Sequence, residues 1–209
     1  MLKKIYLSPL GYLISICLIS IGRVFRPFMI YGYWNSMSGE FRRFTRISSN
    51  CVLIDKNKID ISDNCWIGPH SIIDGSNGVF IGRGVQLAGM NAIYTHSSHI
   101  SIRLCGQKYI DLNPNERPGY IRSQVTIGEY TFIGVSSVIL PGVQIGRGCI
   151  LAAGTVLKKS VPDFSVVAGN PGKVIGSTLD MDKNYIQNKF VQENYFDLDL
   201  LKVMSTTKV

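Results

Sequence analysis

The chain has 209 residues, 45 % hydrophobic and 17 % charged, with a net charge of +8. That balance excludes a disordered or low-complexity protein and suits one domain with extensions and a real core. The basic excess is local, with Lys3, Lys4, Arg23, Arg26, Arg42, Arg43 and Arg46 against Glu40 alone in residues 1–46; no zinc-finger spacing, RNP-like run or recognition-helix pattern supports a nucleic-acid partner.

Ile5 to Gly22 forms an uncharged run, "IYLSPLGYLISICLISIG". Its length is at the lower limit for a membrane span, and Pro9 shortens the part that can be regular helix. The expectation is a helix that either packs against protein or lies in a membrane interface. The basic, aromatic continuation "RVFRPFMIYGYWN" and "FRRFTR" favours membrane proximity through residues 1–46. Residues 1–50 are therefore set apart as an apolar and basic helical segment. Five scattered cysteines without a CxxC pair read as reduced thiols, pointing to a cytoplasmic protein, peripheral at the inner face of the membrane if the N-terminal segment touches lipid.

From residue 127 an aliphatic residue recurs at every sixth position: Ile127, Ile133, Ile139, Ile145, Leu151, Leu157. Four residues after each of the first five stands a small or β-branched one: Thr131, Ser137, Val143, Cys149, Thr155. Neither the helical period nor the strand period produces this pattern, and a six-residue repeat is the signature of a parallel β-helix. The same period runs through Ile61, Ile67 and Ile73 and, after a slip around "DGSNGV", through Ile81, Leu87 and Ile93. Three hexads close one coil, the aliphatic positions stack inside it, and the small positions and glycines turn its corners.

The repeat stops at "IYTHSSH", residues 93–99, which holds two of the three histidines. Residues 100–120 then leave the coil before coiling resumes at 121–127, and a loop this long inside a compact domain is usually functional. Two imidazoles at its root sit where a base could be held against a groove. The tail, residues 177–209, has mixed helical spacing and is assigned no chemistry.

These hexads, with "AAGTVLKKSVPDFSVVAGNPGKVIG" at 152–176, resemble the left-handed β-helix acyltransferases with hexapeptide repeats, over roughly residues 59–176. The resemblance implies an all-β solenoid: a left-handed parallel β-helix over 51–176 with an active-site loop, an N-terminal apolar segment and a helical tail. It also implies acetyl-CoA as co-substrate, no metal, and a homotrimer with active sites between subunits. In that family a histidine just before the loop is the general base, and an imidazole suits the task because its ordinary pKa lies near working pH. Ser98-His99 resembles the family's "SHD" or "HxHD" form, so His99 is expected as the base, with His96 second. Ile100 stands where many relatives have aspartate, and one extra residue separates the two histidines. Asp74, Tyr94 and Arg103 are expected on the acceptor side, Asp74 either holding a sugar hydroxyl or aligning the imidazole. Phe132, Ala153, Gly154, Lys158, Lys159 and Lys173 match positions that receive CoA.

The activity so implied is transfer of acetyl to a hydroxyl on a bacterial surface polysaccharide, a lipid-linked saccharide or a related glycan. An amino-sugar N-acetyltransferase would use the same machinery. Two readings of another class stand beside it. One is a metal enzyme resembling the γ-type carbonic anhydrases, for which His70, His96 and His99 suffice in number but are wrongly spaced, and which leaves the CoA-like C-terminal coil unexplained. The other is a β-helix scaffold without turnover.

Overall fold

A computed structural model describes residues 8–24 and 26–206. From residue 40 to residue 168 the backbone winds as a three-sided coil whose short parallel strands stack into three ladders. The first face runs through Trp66–Ile67, Gln86–Leu87, Phe132–Ile133, Ile150–Leu151 and Ser165–Ala168. The second comprises Val52–Ile54, Ile72–Asp74, Ala92–Ile93, Val138–Ile139 and Val156–Leu157, and the third Ile59–Ile61, Val79–Ile81, Val125–Ile127 and Gln144–Ile145.

The six-residue period is the reason for this shape. Each hexad contributes one inward aliphatic side chain, and the parallel register places Ile73, Ile93, Ile139 and Leu157 on successive rungs. All four are fully buried, as are Ile67, Leu87, Ile133 and Leu151. Each such side chain contributes about 1.5–3 kcal/mol on leaving water. The small positions, Thr131, Ser137, Cys149 and Thr155, are buried at the corners. There they satisfy backbone groups that the two-residue strands leave open: the Thr131 hydroxyl donates to the Gly146 carbonyl at 2.9 Å and accepts from the Cys149 N–H at 3.1 Å. Burial pushes the Cys65 thiol up to about 11 and also raises that of Cys149, so both are space-filling thiols. At Gly134 the coils approach so closely that a Cβ would lie 2.5 Å from the Ala153 nitrogen.

The N-terminal segment divides into two, contrary to the helical expectation for residues 1–50. Helix α1, Pro9–Val24, is followed by an antiparallel hairpin of β1, Met29–Asn35, and β2, Glu40–Ser48. Aromatic and β-branched residues on either side of a turn at Gly39, where φ is +72°, explain the strands. The end of β2 pairs in parallel with Trp66–Ile67, so the first face begins before residue 51. Lys3 and Lys4 lie outside the described residues. Among the described residues no helix is long and apolar enough to cross a membrane. Leu10, Tyr12, Leu13, Leu18, Ile19 and Ile21 of α1 are all exposed.

Beyond the coils, Ser165–Ala168 pairs antiparallel with Lys173–Ser177. Three short helices follow, and the Phe196 ring between the last two stacks on Tyr130 at 4.8 Å and on Phe164 at 6.0 Å. Arg147 ties the tail to the coil through Asp197 at 2.6 Å.

Candidate active site

The strands of the second face end at one corner of the coil, where the register stacks Asp74, Tyr94, Leu140 and Lys158 on successive turns. At the level of Tyr94 the chain does not turn. It runs out as His96–Ser97, forms α2 (Ser101–Cys105) and a 3-10 turn at Gly106–Ile110, and returns as Ile121–Arg122, antiparallel to His96–Ser97. The corner stack and the loop root together make the candidate site.

Asp74 is its buried anchor. The carboxylate accepts from the Ser76 N–H at 3.1 Å and from the Ser76 hydroxyl, from the Thr95 N–H at 3.3 Å, and lies 3.1 Å from the Thr95 hydroxyl. Burial alone would raise its pKa, but the hydrogen bonds from Ser76, Thr95 and His96 outweigh that and hold it below the ordinary carboxylate value. It is therefore ionised at neutral pH. His96 Nδ1 lies 2.7 Å from Asp74 Oδ2, and because an ionised carboxylate only accepts, Nδ1 carries the proton at this contact, which in a neutral ring leaves the lone pair on Nε2. The His96 side chain is 36 % exposed and that of Asp74 is 1 % exposed, so the imidazole can meet a substrate and the carboxylate cannot. The Asp74 carboxylate is turned to the imidazole and away from solvent.

His99 is exposed and lacks such a partner: its Nδ1 meets the Ser97 hydroxyl at 2.7 Å. The hydroxyl offers no fixed charge to hold a tautomer or stabilise an imidazolium. His96, and not His99, thus has a carboxylate partner. His99 instead lines a groove of about 450 Å³ with Ser97, Ile121, Leu140, Pro141 and Lys158. Leu140, Pro141 and Ile121 give the groove apolar lining, and Lys158 adds one ammonium.

The remaining expected residues fall as follows. Tyr94 packs edge-on to His96, ring centroids 6.3 Å apart. Arg103, on α2, donates to the His99 carbonyl and so braces the loop root. Phe132 points outward from the first face, 42 % exposed between Gln86 and Ile150. Ala153 and Gly154 form an exposed corner, and a Cβ on Gly154 would meet open space although φ is +72°. Lys159 and Lys173 are exposed and line no part of the His99 groove. His70 occupies a separate corner, where it bonds to Asn50 at 2.9 Å, and among the described residues no three or more His, Cys, Asp or Glu gather in a metal-holding group.

The structure adds residues that the repeat does not mark. Tyr120 lies 5.9 Å from His96, ring to ring, and Arg117 and Arg122 lie over Tyr120. They come from the aperiodic loop, where no spacing signals position.

A buried carboxylate behind a half-exposed histidine lies at the root of a loop leaving a parallel β-helix, and the fold is that of a hexapeptide-repeat left-handed β-helix. Residues 124–159 match the bacterial transferase hexapeptide family (six repeats). The chain is 44 % identical over 62 residues to the probable acetyltransferase Rv3034c of Mycobacterium tuberculosis, covering 30 % of this chain and 21 % of that protein. It is 49 % identical over 53 residues to a 2,3,4,5-tetrahydropyridine-2,6-dicarboxylate N-acetyltransferase of Staphylococcus aureus, covering 25 % of this chain and 22 % of that protein. The chain thus spans about a fifth of the length of these relatives. Among solved structures it resembles a maltose O-acetyltransferase from Clostridium difficile 630, with TM-score 0.50 and 27 % identity over 62 % of this chain and 64 % of that one.

Proposed function

We propose that the protein is an acyltransferase that moves acetyl from acetyl-CoA to a sugar hydroxyl of a surface polysaccharide or related glycan, with His96 as general base. The observation that carries this reading is the 2.7 Å contact from His96 Nδ1 to the buried Asp74 carboxylate. Nε2 takes the proton of the acceptor hydroxyl as its oxygen attacks the thioester carbonyl. The tetrahedral adduct collapses, the C–S bond breaks, and the imidazolium returns the proton to the departing thiolate. Asp74 stays ionised throughout and steadies the imidazolium. Acetyl-CoA lies along the groove of Leu140, Pro141 and Lys158, and no metal takes part. Outward Phe132 and the Ala153–Gly154 corner would complete its site in a homotrimer, in which the groove lies between subunits.

The N-terminal segment supports a membrane-proximal acceptor, such as a lipid-linked saccharide, at the cytoplasmic face. Exposed apolar side chains on α1 and, after β1, the basic residues Arg42, Arg43 and Arg46 of β2 together suit an anionic bilayer. Co-sedimentation with anionic but not zwitterionic vesicles tests this part alone.

Acceptor-dependent CoA release tests the chemistry. Release should fall about 10²-fold or more in His96→Ala and less in His99→Ala. Equal rates in wild type and both variants would remove His96 and His99 from catalysis. The Staphylococcus aureus relative favours an amine acceptor as a second reading, so amino sugars belong in the same assay.

A further inference from the structure

The return strand of the loop carries a pair of guanidiniums that the transfer chemistry does not use. Arg122 stands directly opposite His96 in the antiparallel pair that closes the loop. Opposed residues of such a pair project to the same side, about 5 Å apart. Tyr120, beside the His96 ring, has Arg117 at 5.7 Å and Arg122 at 5.9 Å from its centroid. Arg117 also covers Tyr109 at 4.1 Å and donates from Nε to the Leu112 carbonyl at 3.0 Å, while Arg122 donates to the Asn115 side-chain oxygen.

Both cations are thus held by rings and neutral oxygens. Among the described residues neither pairs with a carboxylate, although Arg42 and Arg147 do. Asp74, the carboxylate behind His96, is 1 % exposed and already committed to that imidazole. Two like charges converging on one ring repel unless an anion sits between them, and the guanidinium fork matches the oxygens of a carboxylate or phosphate. Holding such a pair ready beside the base has an obvious use in recognition.

We infer that Arg122 and Arg117 form an acceptor subsite for an anionic sugar, one bearing a carboxylate or phosphate close to the hydroxyl that His96 deprotonates. The inference deepens the proposed function and rests on the acceptor meeting His96. It makes acceptor choice a matter of charge: a neutral sugar of the same shape leaves both guanidiniums unpaired, and an anionic one satisfies them.

Equilibrium binding separates this inference from catalysis. Titration calorimetry on the full chain would compare a methyl uronide, its neutral methyl ester and a hexose phosphate, with wild type, Arg122→Gln and Arg117→Gln. The expected result is tighter binding of an anionic probe than of the ester by about 10- to 100-fold, the range of one or two charge-assisted hydrogen bonds, and collapse of that preference in the glutamine variants. The uronide and phosphate arms show which anion is read. Anionic probes binding no tighter than the ester, or a preference that survives in both variants, would overturn the subsite. So would a loss of acetyl-CoA affinity in the variants with the uronide preference intact, since the arginines would then serve the donor. Failure of the base assignment shows separately, as unchanged CoA release in His96→Ala.

Discussion

Thr95 grips the carboxylate of Asp74 from the next coil: its N–H lies 3.3 Å and its hydroxyl 3.1 Å from Oδ2, and the same hydroxyl lies 3.0 Å from the Asp74 carbonyl. The Thr95 oxygen also accepts from the Asn77 N–H at 3.0 Å. One residue further on, His96 uses the same Oδ2. The site is therefore built across two coil turns, and the hydrogen bonds that hold the turns together also fix the carboxylate that orients the imidazole. Fixing such a partner through its own neighbours keeps a proton acceptor within the tight tolerance that catalysis needs.

Asp74→Asn should lower kcat by about 10²-fold or more while leaving KM for acetyl-CoA near its wild-type value. Asparagine keeps the shape but removes the charge that stabilises the imidazolium, and its amide can turn an N–H toward His96 and select the wrong tautomer. Steady-state kinetics read the split, and a rise in KM with kcat unchanged would assign Asp74 to binding instead.

Thermal melts of wild type and Asp74→Asn between pH 2 and 6 give a second check. The folded-state pKa of Asp74 lies below its ordinary value of 3.8, so at pH values between the two the unfolded chain binds more protons. Stability then rises with pH through that window. The advantage of wild type over the variant should be complete above the ordinary value and shrink as pH falls through the lowered one. A difference that stays constant over the whole range would show that Asp74 is not held ionised by its partners.

Legibility in the sequence follows from what is periodic. Ile127 to Leu157 announce the coil because one inward side chain per hexad is a requirement of the fold. The slip near "DGSNGV" adds two residues to one turn, and allowing for it places Asp74 in register with Tyr94, within reach of His96. Choosing between His96 and His99 needed more than register, since both stand on the stretch leaving the coil and only one turns its ring to the carboxylate. Tyr120, Arg117 and Arg122 carry no such signal. Their place depends on how residues 98–120 fold back, which follows from loop contacts that repeat nowhere. The hairpin of β1 and β2 was obscured differently: its aromatic and basic residues read equally well as a membrane-facing extension of α1.

The ladder predicts an unequal response to small changes at two buried positions. Ile139→Ala opens a cavity between Ile93 and Leu157 and should cost about 2–5 kcal/mol. Gly134→Ala adds one methyl group, yet it pushes a Cβ against backbone, 2.5 Å from the Ala153 nitrogen, and should cost about 1–3 kcal/mol through overpacking. Urea unfolding measures both. A neutral Gly134→Ala would mean that the coils can separate at that corner without penalty.

Lys158→Ala tests the donor groove and can be told apart from changes at the base. Lys158 is exposed and lines the same groove as Leu140, Pro141, Ile121, His99 and Ser97. If the ammonium pairs with a CoA phosphate, its loss should raise KM for acetyl-CoA by up to about 5-fold, because an exposed ion pair contributes at most about 1 kcal/mol. The effect should fade at high salt, where the interaction in wild type is screened. kcat should hold, since the ammonium does not touch the reacting carbonyl. His99→Ala belongs in the same comparison: a groove-lining role predicts a KM effect like that of Lys158→Ala, and a role as base predicts a fall in kcat. A kcat loss in His99→Ala equal to that in His96→Ala would return the base to His99 and leave the Asp74 contact as a structural bond.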